Sequence, residues 1–358
     1  MLLDRDLGNL HHAANTLFEG MAARSGIKIE DCYLQKRLEG MRILGPGGAA
    51  VTVPAKGYFI DRQRFDDHYL RLAEGSGVVL LRGVARAAKL DGDRRTIALG
   101  EDEIDARVVV DASGVESTLA RQAGLKPMRH PEDIAWALEA AVEHPGLGEE
   151  LFFQYWIGSM APGWKATFSP AGKDKATLSV FVRGHGQNVG SFFRGFLKRF
   201  KAYKATQYRD IEDMKILSVK RGGDPIAALP GEIAADSLVV TGGAAGQSGL
   251  AYGMRAGTIC GTVAGKAVAA GDVSRKALSR YEQLWNAEFY WEYRMGRASL
   301  QTLREMKDDE IESLVRGLNG KTIISDGSFL KKAMYSGAKV ALARPRTVFD
   351  LVWSLAKG

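Results

Sequence analysis

Residues 238–271, LVVTGGAAGQSGLAYGMRAGTICGTVAGKAVAAG, carry the clearest local pattern in this sequence. The apolar residues 238–240 predict a short buried strand, and glycines at 242, 243, 246 and 249 follow it. Small residues with little charge then continue to Gly271, which predicts a helix packed closely on a sheet. Because backbone N–H groups at such a helix N-terminus can face an anion, the pattern is typical of a phosphate or dinucleotide site. A purely structural glycine turn would show the same pattern.

The composition is typical of a soluble globular protein. The 358 residues suffice for about two domains, and 46% of them are apolar and 25% charged. The two cysteines, Cys32 and Cys260, form no disulfide framework, and no Cys/His spacing predicts a metal site. The adjacent His11 and His12 would not face one another on a helix. The net charge of +7 favours anionic partners, although ordinary solubility explains it as well.

Residues 57–127 predict an α/β unit with a parallel sheet. Asp61 is a candidate N-cap for a helix, and residues 78–81 predict a short buried strand after it. A hairpin turning at 91–93 and an apolar strand ending at Asp111 follow. Asp111 stands where open α/β sheets bind ligands, but it could equally cap the next helix. By contrast, residues 1–31 show no buried strand at their start.

Residues 32–56 and 128–231 predict a second sheet, which is larger and antiparallel. Its strands are rich in aromatic residues, and Tyr155, Trp164 and Phe168 are candidates for the walls of an apolar pocket. Each of the three could instead be plain core.

Two helical regions are basic and amphipathic. Residues 191–208, SFFRGFLKRFKAYKATQY, predict a helix that could lie on an anionic membrane surface or turn its apolar face to the core. Residues 275–320 predict further amphipathic helices, and the basic, apolar tail predicts a helical appendage or a membrane-contacting cap. No apolar run of 18 residues and no signal peptide is found, so we expect a cytoplasmic protein, peripheral at most on the inner side of the membrane.

Five segments in order resemble the geranylgeranyl reductase family of FAD-dependent oxidoreductases, relatives of the aromatic hydroxylase flavoproteins. These are GYFIDRQRFD at 57–66, ARVVVDASGVESTLARQAGL at 106–125, APGWKATFSP at 161–170, LVVTGGAAG with SGLAYGMRAG at 238–257, and a C-terminal pair, YEQLW at 281–285 and GSFLKKAMYSGAKVALARP at 327–345. The resemblance implies a mixed α/β (α+β) fold with three parts. These are a discontinuous FAD-binding domain of 1–31, 57–127 and 232–285, an antiparallel substrate-binding domain of 32–56 and 128–231, and a helical region of 286–358.

The resemblance also implies the site residues. Arg62 would contact the flavin side, and the backbone of Val84 would touch the adenosine half. The implied cofactor-binding set is Arg62, Val84, Asp111, Gly243, Ala244, Gly246, Gly249 and Leu250. Tyr155, Trp164 and Phe168 would line the substrate tunnel. Lys198, Arg199 and Lys201 would lie near a charged head group. No catalytic residue and no metal ligand are predicted.

The chain departs from the family pattern at several positions. The strand, GxGxxG turn and helix that open the family are absent, and no acidic residue for the adenosine ribose is identified. The family cysteine falls at Leu17, the aspartate of the last flavin motif falls at Gly243, and Trp164, Ala166 and Ser169 replace three residues of the pocket motif.

By resemblance the expected reaction is the saturation of C=C bonds in geranylgeranyl chains of a lipid or diphosphate, in lipid biosynthesis. The expected partners are an isoprenoid lipid, an electron donor such as NAD(P)H or a ferredoxin-like carrier, and a membrane surface, but no nucleic acid. Two alternatives stay open: a non-catalytic or split-flavoprotein remnant that binds isoprenoids, and a flavin monooxygenase.

Overall fold

The structure, a computed structural model, describes residues 1–7, 14–161 and 164–319. The strands are β1 Leu2–Asp4, β2 Thr16–Phe18, β3 Leu34–Leu38, β4 Gly40–Leu44, β5 Ala50–Val53, β6 Gly57–Ile60, β7 Leu80–Arg82, β8 Ala87–Asp91, β9 Arg94–Leu99, β10 Asp102–Ala106, β11 Val109–Asp111, β12 Ala135–Glu143, β13 Phe152–Trp156, β14 Trp164–Gly172, β15 Lys175–Arg183, β16 Lys215–Asp224, β17 Ala234–Ala235 and β18 Leu238–Val240. The helices are α1 Glu19–Ser25, α2 Arg62–Gly75, α3 Thr118–Gln122, α4 Val189–Lys204, α5 Leu250–Ala270, α6 Arg275–Leu278, α7 Arg280–Glu305 and α8 Asp308–Leu318.

A seven-stranded sheet is the largest element, with the order β16-β12-β15-β14-β13-β4-β5. Its pairs are antiparallel except for β13 and β4, which run parallel, so the predicted antiparallel sheet contains one parallel pair. The segment 32–56 supplies β4 and β5 to this sheet, whereas β3 pairs with β6 in a separate three-stranded sheet. The predicted mixed α/β fold class is confirmed.

Helix α4 covers one face of the large sheet. Phe193, Phe196 and Phe200 are buried in one cluster with residues of β12, β14 and β15, while Arg194 and Arg199 stay exposed. Of the two interpretations of this amphipathic segment, the core-facing helix therefore describes the packing of its apolar side. We call the face under α4 the outer face of the sheet, and the opposite face the inner face.

The parallel part of the fold consists of two strand pairs, β1 with β7 and β11 with β18. Residues 1–31 begin with a half-buried strand, because β1 pairs with β7 from Leu2 to Asp4, and this does not contradict the expectation that no buried strand stands there. The expectation of a buried strand at 78–81 was wrong, since β7 is only partly covered and Val79 is 62% exposed.

Helix α5 packs on β11 and β18 with only one of its sides. Ala256, Ile259 and Cys260 are buried, and Tyr281 and Trp285 of α7 join them in the same core. The predicted helix packed on a sheet is therefore present, but three of its glycines lie on the side away from the sheet. A Cβ at Gly257, Gly261 or Gly265 would meet nothing within 4 Å, and all three are exposed.

The helical region after α5 packs against one edge of the large sheet, and the opposite edge is uncovered by the described residues. Helix α8 places Ile311, Leu314 and Val315 against Val51 and Ile157 of the large sheet. At the other edge of that sheet, β16 has no further strand partner among the described residues, and its Ile216, Leu217 and Val219 are 46–48% exposed. In the described part of the chain, no helix is both long and apolar enough to cross a membrane. His11, His12, Pro162, Gly163 and the tail from residue 320 lie outside the described residues.

Candidate functional site

Side-chain hydrogen bonds fix the conformation of the turn between β18 and α5. A 3₁₀ helix spans Gly242–Ala245, and Gly246 and Gly249 have φ angles of 73° and 93°, which side chains rarely adopt. The backbone N–H of Gly242 donates to Oε1 of Gln247 at 2.7 Å. Nε2 of Gln247 in turn donates to the hydroxyl of Tyr281 at 2.8 Å. This buried network fixes the path of the loop.

The N-terminus of α5 has no side-chain cap. Leu250 begins the helix and Gly249 precedes it, so the first backbone N–H groups point toward a position with no side chain in the way. The helix dipole adds partial positive charge at the same end. This end of α5 therefore suits an anion or the carbonyl oxygens of a planar heterocycle.

The turn after β11 packs directly against the turn after β18. Ser117 Oγ donates to the carbonyl oxygen of Ala244 at 2.6 Å, and a Cβ on Gly243 would lie 3.6 Å from Cα of Gly114. The Asp111 carboxylate is buried in between and accepts hydrogen bonds from the N–H groups of Ser113 and Ala120, both at 3.0 Å. These contacts match the alternative in which Asp111 caps the next helix, α3. The structure thus brings Asp111, Gly243 and Ala244 together at the carboxyl ends of two parallel strands.

Arg62 and Val84 lie on other elements. Arg62 begins α2, where its Nε contacts Asp66 Oδ1 at 2.9 Å and Nη1 lies 3.4 Å from the carbonyl oxygen of Ala14. Val84 is half-exposed in the loop after β7. The preceding residue, Gly83, donates its N–H to the carbonyl oxygen of Asp4 at 3.0 Å.

Asp4 is an acidic residue at a strand end that the sequence pattern did not single out as a candidate. It ends β1, next to the loop that carries Val84, at the carboxyl end of a parallel strand. A carboxylate at this place is where α/β folds bind a ribose. The sequence signal was Leu2-Leu3 followed by an acid, and it was too short to predict a strand because the flanking residues lack periodicity.

The three residues predicted to wall a pocket are divided between the two faces of the large sheet. Tyr155 pairs with Thr167, and Gln154 pairs with Phe168. Since side chains alternate along a strand, Tyr155 points to the inner face, while Phe168 and Trp164 point to the outer face. Phe168 is fully buried beneath α4, in contact with the ring of Phe200, so its contacts are those of plain core.

The middle of the inner face is only partly covered. Four side chains there are half-buried: Ala137, Tyr155, Thr167 and Phe181. Strand β2 borders the area on one side, because the hydroxyls of Thr16 and Ser169 lie 2.6 Å apart. The N-terminus of α5 borders it on another side, where Ser248 donates a hydrogen bond to Asp224 at the end of β16.

Charged side chains face this area from several strands: Glu139 on β12, Lys165 on β14, and Lys220 and Asp224 on β16. Burial raises the pKa of Glu139, against the positive charges of Lys220 and Arg62, and Nδ2 of Asn15 lies 3.5 Å from its Oε1. Burial also lowers the pKa of Lys165, which Asp224 partly offsets. Both shifts reflect a site that is largely screened from water.

The basic residues expected near a substrate head group lie on the far side of the sheet. Lys198 and Arg199 line a groove on the solvent side of α4 together with Phe192. Nζ of Lys201 donates to the carbonyl oxygen of Glu212 at 2.5 Å. The sheet itself separates this groove from the inner face.

One cluster outside this area has the composition of a metal site. Ligand atoms of His130, Glu132 and Asp133 lie within 4.8 Å of one another. Asp133, however, is held by ion pairs from Arg183 and Arg297, which occupy both of its oxygens. Asp133 therefore links β15 to α7 through these two ion pairs.

A flavin fits the arrangement of glycine turns and the uncapped helix. The turns after β11 and β18 leave backbone without side chains at Gly114, Gly243 and Gly249, and the N-terminus of α5 has no side-chain cap. These features allow the close approach of a flat ring and hydrogen bonds to its carbonyl and nitrogen atoms.

Two curated proteins are similar to this chain over most of their own length. The chain is 30% identical over 323 residues to the digeranylgeranylglycerophospholipid reductase of Methanocaldococcus jannaschii, covering 86% of this chain and 80% of that protein. It is 28% identical over 364 residues to digeranylgeranylglycerophospholipid reductase 1 of Methanothermobacter thermautotrophicus, covering 96% and 90% respectively.

Solved structures and a family model give the same relationship at the level of the fold. A geranylgeranyl bacteriochlorophyll reductase-like protein from Thermoplasma acidophilum superimposes with a TM-score of 0.84 at 21% identity, over 98% of this chain and 91% of that one. A variant of the halogenase PltM in complex with FAD superimposes with a TM-score of 0.62 at 14% identity, over 90% and 70%. Residues 35–147 match the model of the tryptophan halogenase family. These neighbours indicate a flavin cofactor.

Proposed function

Because this chain belongs to the digeranylgeranylglycerophospholipid reductases, a family of flavin-dependent oxidoreductases, we propose that it reduces C=C bonds in the geranylgeranyl chains of a membrane lipid or its diphosphate precursor. The observation that supports this most is the uncapped N-terminus of α5, which borders a partly covered area of the inner face. A reacting double bond there would lie between a flavin and the sheet.

We propose FAD as the flavin. Asp4 and the backbone at Val84 would hold the adenosine half, because both lie at the carboxyl end of the β1–β7 pair. The turns carrying Asp111, Gly243, Ala244 and Gly246 would contact the middle of the cofactor, with Arg62 on its flavin side. Gly249 and Leu250 would hydrogen-bond the ring through the backbone of α5.

When bound, the flavin would supply a hydride for the alkene. The residues of the chain would orient the double bond and exclude water from the site. An isolated double bond offers no charge to hold, so its orientation depends on shape. Tyr155 and Phe181 provide aromatic walls on the inner face, on the two strands that flank β14, and the small side chain of Ala137 leaves room beside Phe181. Trp164 and Phe168, on the outer face, would support these walls by packing behind the strand. Excluding water prevents loss of reducing equivalents to other acceptors.

The remaining assignments are also proposals. Residues 1–31, 57–127 and 232–285 would form the FAD-binding domain, 32–56 and 128–231 the substrate domain, and 286–358 a helical region. NAD(P)H or a ferredoxin-like carrier would deliver the electrons. The exposed groove with Lys198 and Arg199 would bind phosphate groups at a membrane surface, because cationic side chains beside an aromatic ring suit the interface of an anionic bilayer.

The test starts with the visible spectrum. The purified chain with FAD is expected to retain flavin through gel filtration, to bleach with dithionite, and to be reoxidised anaerobically by a geranylgeranyl lipid. Mass spectrometry should show the lipid gaining one H₂ for each bond reduced. The fully saturated lipid is the matched control and should leave the flavin reduced.

Two results would contradict the proposal. A chain that stays colourless with excess FAD would favour the non-catalytic, isoprenoid-binding alternative. A chain that binds FAD but consumes oxygen with NAD(P)H and an aromatic compound, leaving the lipid unchanged, would be a flavin monooxygenase.

A further inference from the structure

Lys165 is a buried cation on the inner face, in the middle of β14. It is 8% exposed and stands opposite Phe181 on β15. Its Nζ lies 4.2 Å from the ring centre of Phe181 and 5.4 Å from that of Tyr155. The ammonium group therefore points into the partly open area where the proposed function needs its substrate and cofactor.

Among the described residues, no carboxylate lies within 4.0 Å of Lys165 Nζ, and it has no hydrogen-bond partner. The acid whose charge acts on it is Asp224, and one oxygen of Asp224 already accepts the hydroxyl of Ser248. The buried lysine of the outer face differs: Lys204 Nζ contacts Glu150 Oε1 at 2.6 Å. The fold thus neutralises one buried lysine by a close ion pair, whereas the other has two aromatic rings as contacts and the charge of Asp224 at a distance beyond 4.0 Å.

An ammonium in this position destabilises the empty site. Cation–π contacts offset only part of the cost of removing an ammonium from water without a close anionic partner. An anion that enters the site would recover this cost. A lysine held this way therefore favours a negatively charged ligand.

Lys165 and the N-terminus of α5 both border the same part of the inner face. Asp224 connects the two, because its charge acts on Lys165 and its carboxylate accepts from Ser248, the residue before Gly249. The helix dipole contributes positive potential from that side. Lys165 on the sheet and the N-terminus of α5 thus both contribute positive potential to this area, and the Asp224 carboxylate at its edge offsets part of it.

We propose that Lys165 is the counter-ion for the negative charge that the flavin acquires on reduction, and that it thereby stabilises the reduced form. Two electrons and one proton added to the oxidised ring leave one negative charge, and the Lys165 ammonium neutralises it without transferring its own proton. This role rests on the proposed function, since it requires a flavin beside α5. It assigns Lys165 to electrostatics, with hydride transfer left to the cofactor.

The test compares flavin midpoint potentials of the wild type, Lys165→Met, Lys165→Arg and the exposed control Lys175→Met. Lys165→Met is expected to weaken the preference for the reduced form about ten-fold or more, which lowers the potential by about 30 mV for a two-electron couple. Lys165→Arg and Lys175→Met should stay near the wild type. A second readout needs no flavin: Lys165→Met should unfold at higher urea concentration than the wild-type apoprotein, because the unpaired charge is gone.

Three outcomes overturn the proposal. Equal potentials for Lys165→Met and wild type would show that the charge does not reach the flavin. An unchanged potential with weaker binding of geranylgeranyl diphosphate would make Lys165 a phosphate ligand of the substrate. A Lys165→Met apoprotein that is less stable would show that the ammonium is already paired. A wild type that binds no flavin would instead refute the proposed function, and the urea comparison would still report on the charge of Lys165.

Discussion

The carboxylate of Asp111 is fully committed to the turn that it starts. It accepts from Ser113 and Ala120, and its burial leaves no room for water to replace either bond. Asp111→Asn is expected to cost about 2–4 kcal/mol of unfolding free energy, because an amide nitrogen would face one of these donors. Urea denaturation measures this, with the exposed Asp102→Asn as the control, for which a change within about 0.5 kcal/mol is expected.

The opposite pattern would change the role of Asp111. If Asp111→Asn kept its stability and lost flavin binding, its carboxylate would contact the cofactor rather than the turn. The sequence left both interpretations open, because a carboxylate at the end of a strand has the same neighbours in the chain whichever way it points.

Glu139 makes stability depend on pH. Burial raises the pKa of Glu139 above its usual value of 4.5, so the folded chain holds this proton at pH values where the unfolded chain has lost it. The free energy of unfolding therefore falls as the pH rises from about 4.5 through the raised pKa of Glu139. Above that pKa the loss no longer changes with pH. Glu139→Gln should be stabilising at pH 8 and near neutral at pH 4. Urea midpoints at both pH values measure this.

The control for Glu139 is Glu143→Gln on the same strand. A stabilisation of Glu139→Gln that is equal at both pH values would show that the amide gains from packing rather than from removal of a buried charge.

At the scale of elements, the sequence predicted where α4 and α5 lie but not what each of their sides contacts. The pattern of Phe and Lys in 191–208 is the same for a helix on a sheet and a helix on a membrane. In α5, alanine and glycine are both small, so the pattern could not separate the buried Ala256 and Ala267 from the exposed Gly257 and Gly261. The inner-face position of Tyr155 depended on strand register, which needs the partner strands.

Glycines of the β18–α5 unit are expected to respond in opposite ways to alanine. At Gly246, φ is 73° and a Cβ would lie 3.0 Å from the carbonyl oxygen of Leu229, so Gly246→Ala should cost about 1–3 kcal/mol. At Gly257, a Cβ meets nothing and the backbone is helical, so Gly257→Ala should gain about 0.5–1 kcal/mol. Thermal unfolding of both variants measures the difference. A destabilised Gly257→Ala would mean that this side of α5 is covered in solution.

At the scale of the whole molecule, α8 attaches the helical region to the large sheet through its acidic side chains. Glu312 accepts the N–H groups of Gly47 and Ala49 at 2.8 and 3.0 Å, in the turn between β4 and β5. Asp308 accepts the N–H of Ser159 at 2.9 Å, after β13. The family resemblance predicted a helical region here, but these contacts join residues more than 140 positions apart and leave no local signal in the sequence.

Glu312→Gln should loosen this attachment. Burial opposes ionisation of Glu312, but hydrogen bonds from Gly47, Ala49 and Arg316 outweigh it and lower its pKa. A lowered pKa gives stability that is present above about pH 4.5 and is lost as the pH falls through the folded value. We expect a loss of about 1–2 kcal/mol at pH 7 that vanishes in acid.

Hydrogen exchange of the α8 amides measures this loss, because their protection reports the docking of α8 rather than global unfolding. Glu305→Gln, at the end of α7, is the control. Equal protection of α8 in Glu312→Gln and the wild type at pH 7 would assign the docking to the apolar contacts of Ile311 and Leu314 instead.

The open edge of β16 has a consequence for how the protein behaves in concentrated solution. No strand within residues 1–7, 14–161 and 164–319 pairs with its outer edge, and Ile216 and Leu217 would gain from being covered, so two copies could join their large sheets edge to edge. Lys215 and Arg221 on the same strand repel a second copy at low ionic strength. Since the screening length falls from about 10 Å at 0.1 M salt to about 3 Å at 1 M, salting out should favour ordered stacking along this edge. Storage buffers of low ionic strength should therefore keep the chains dispersed.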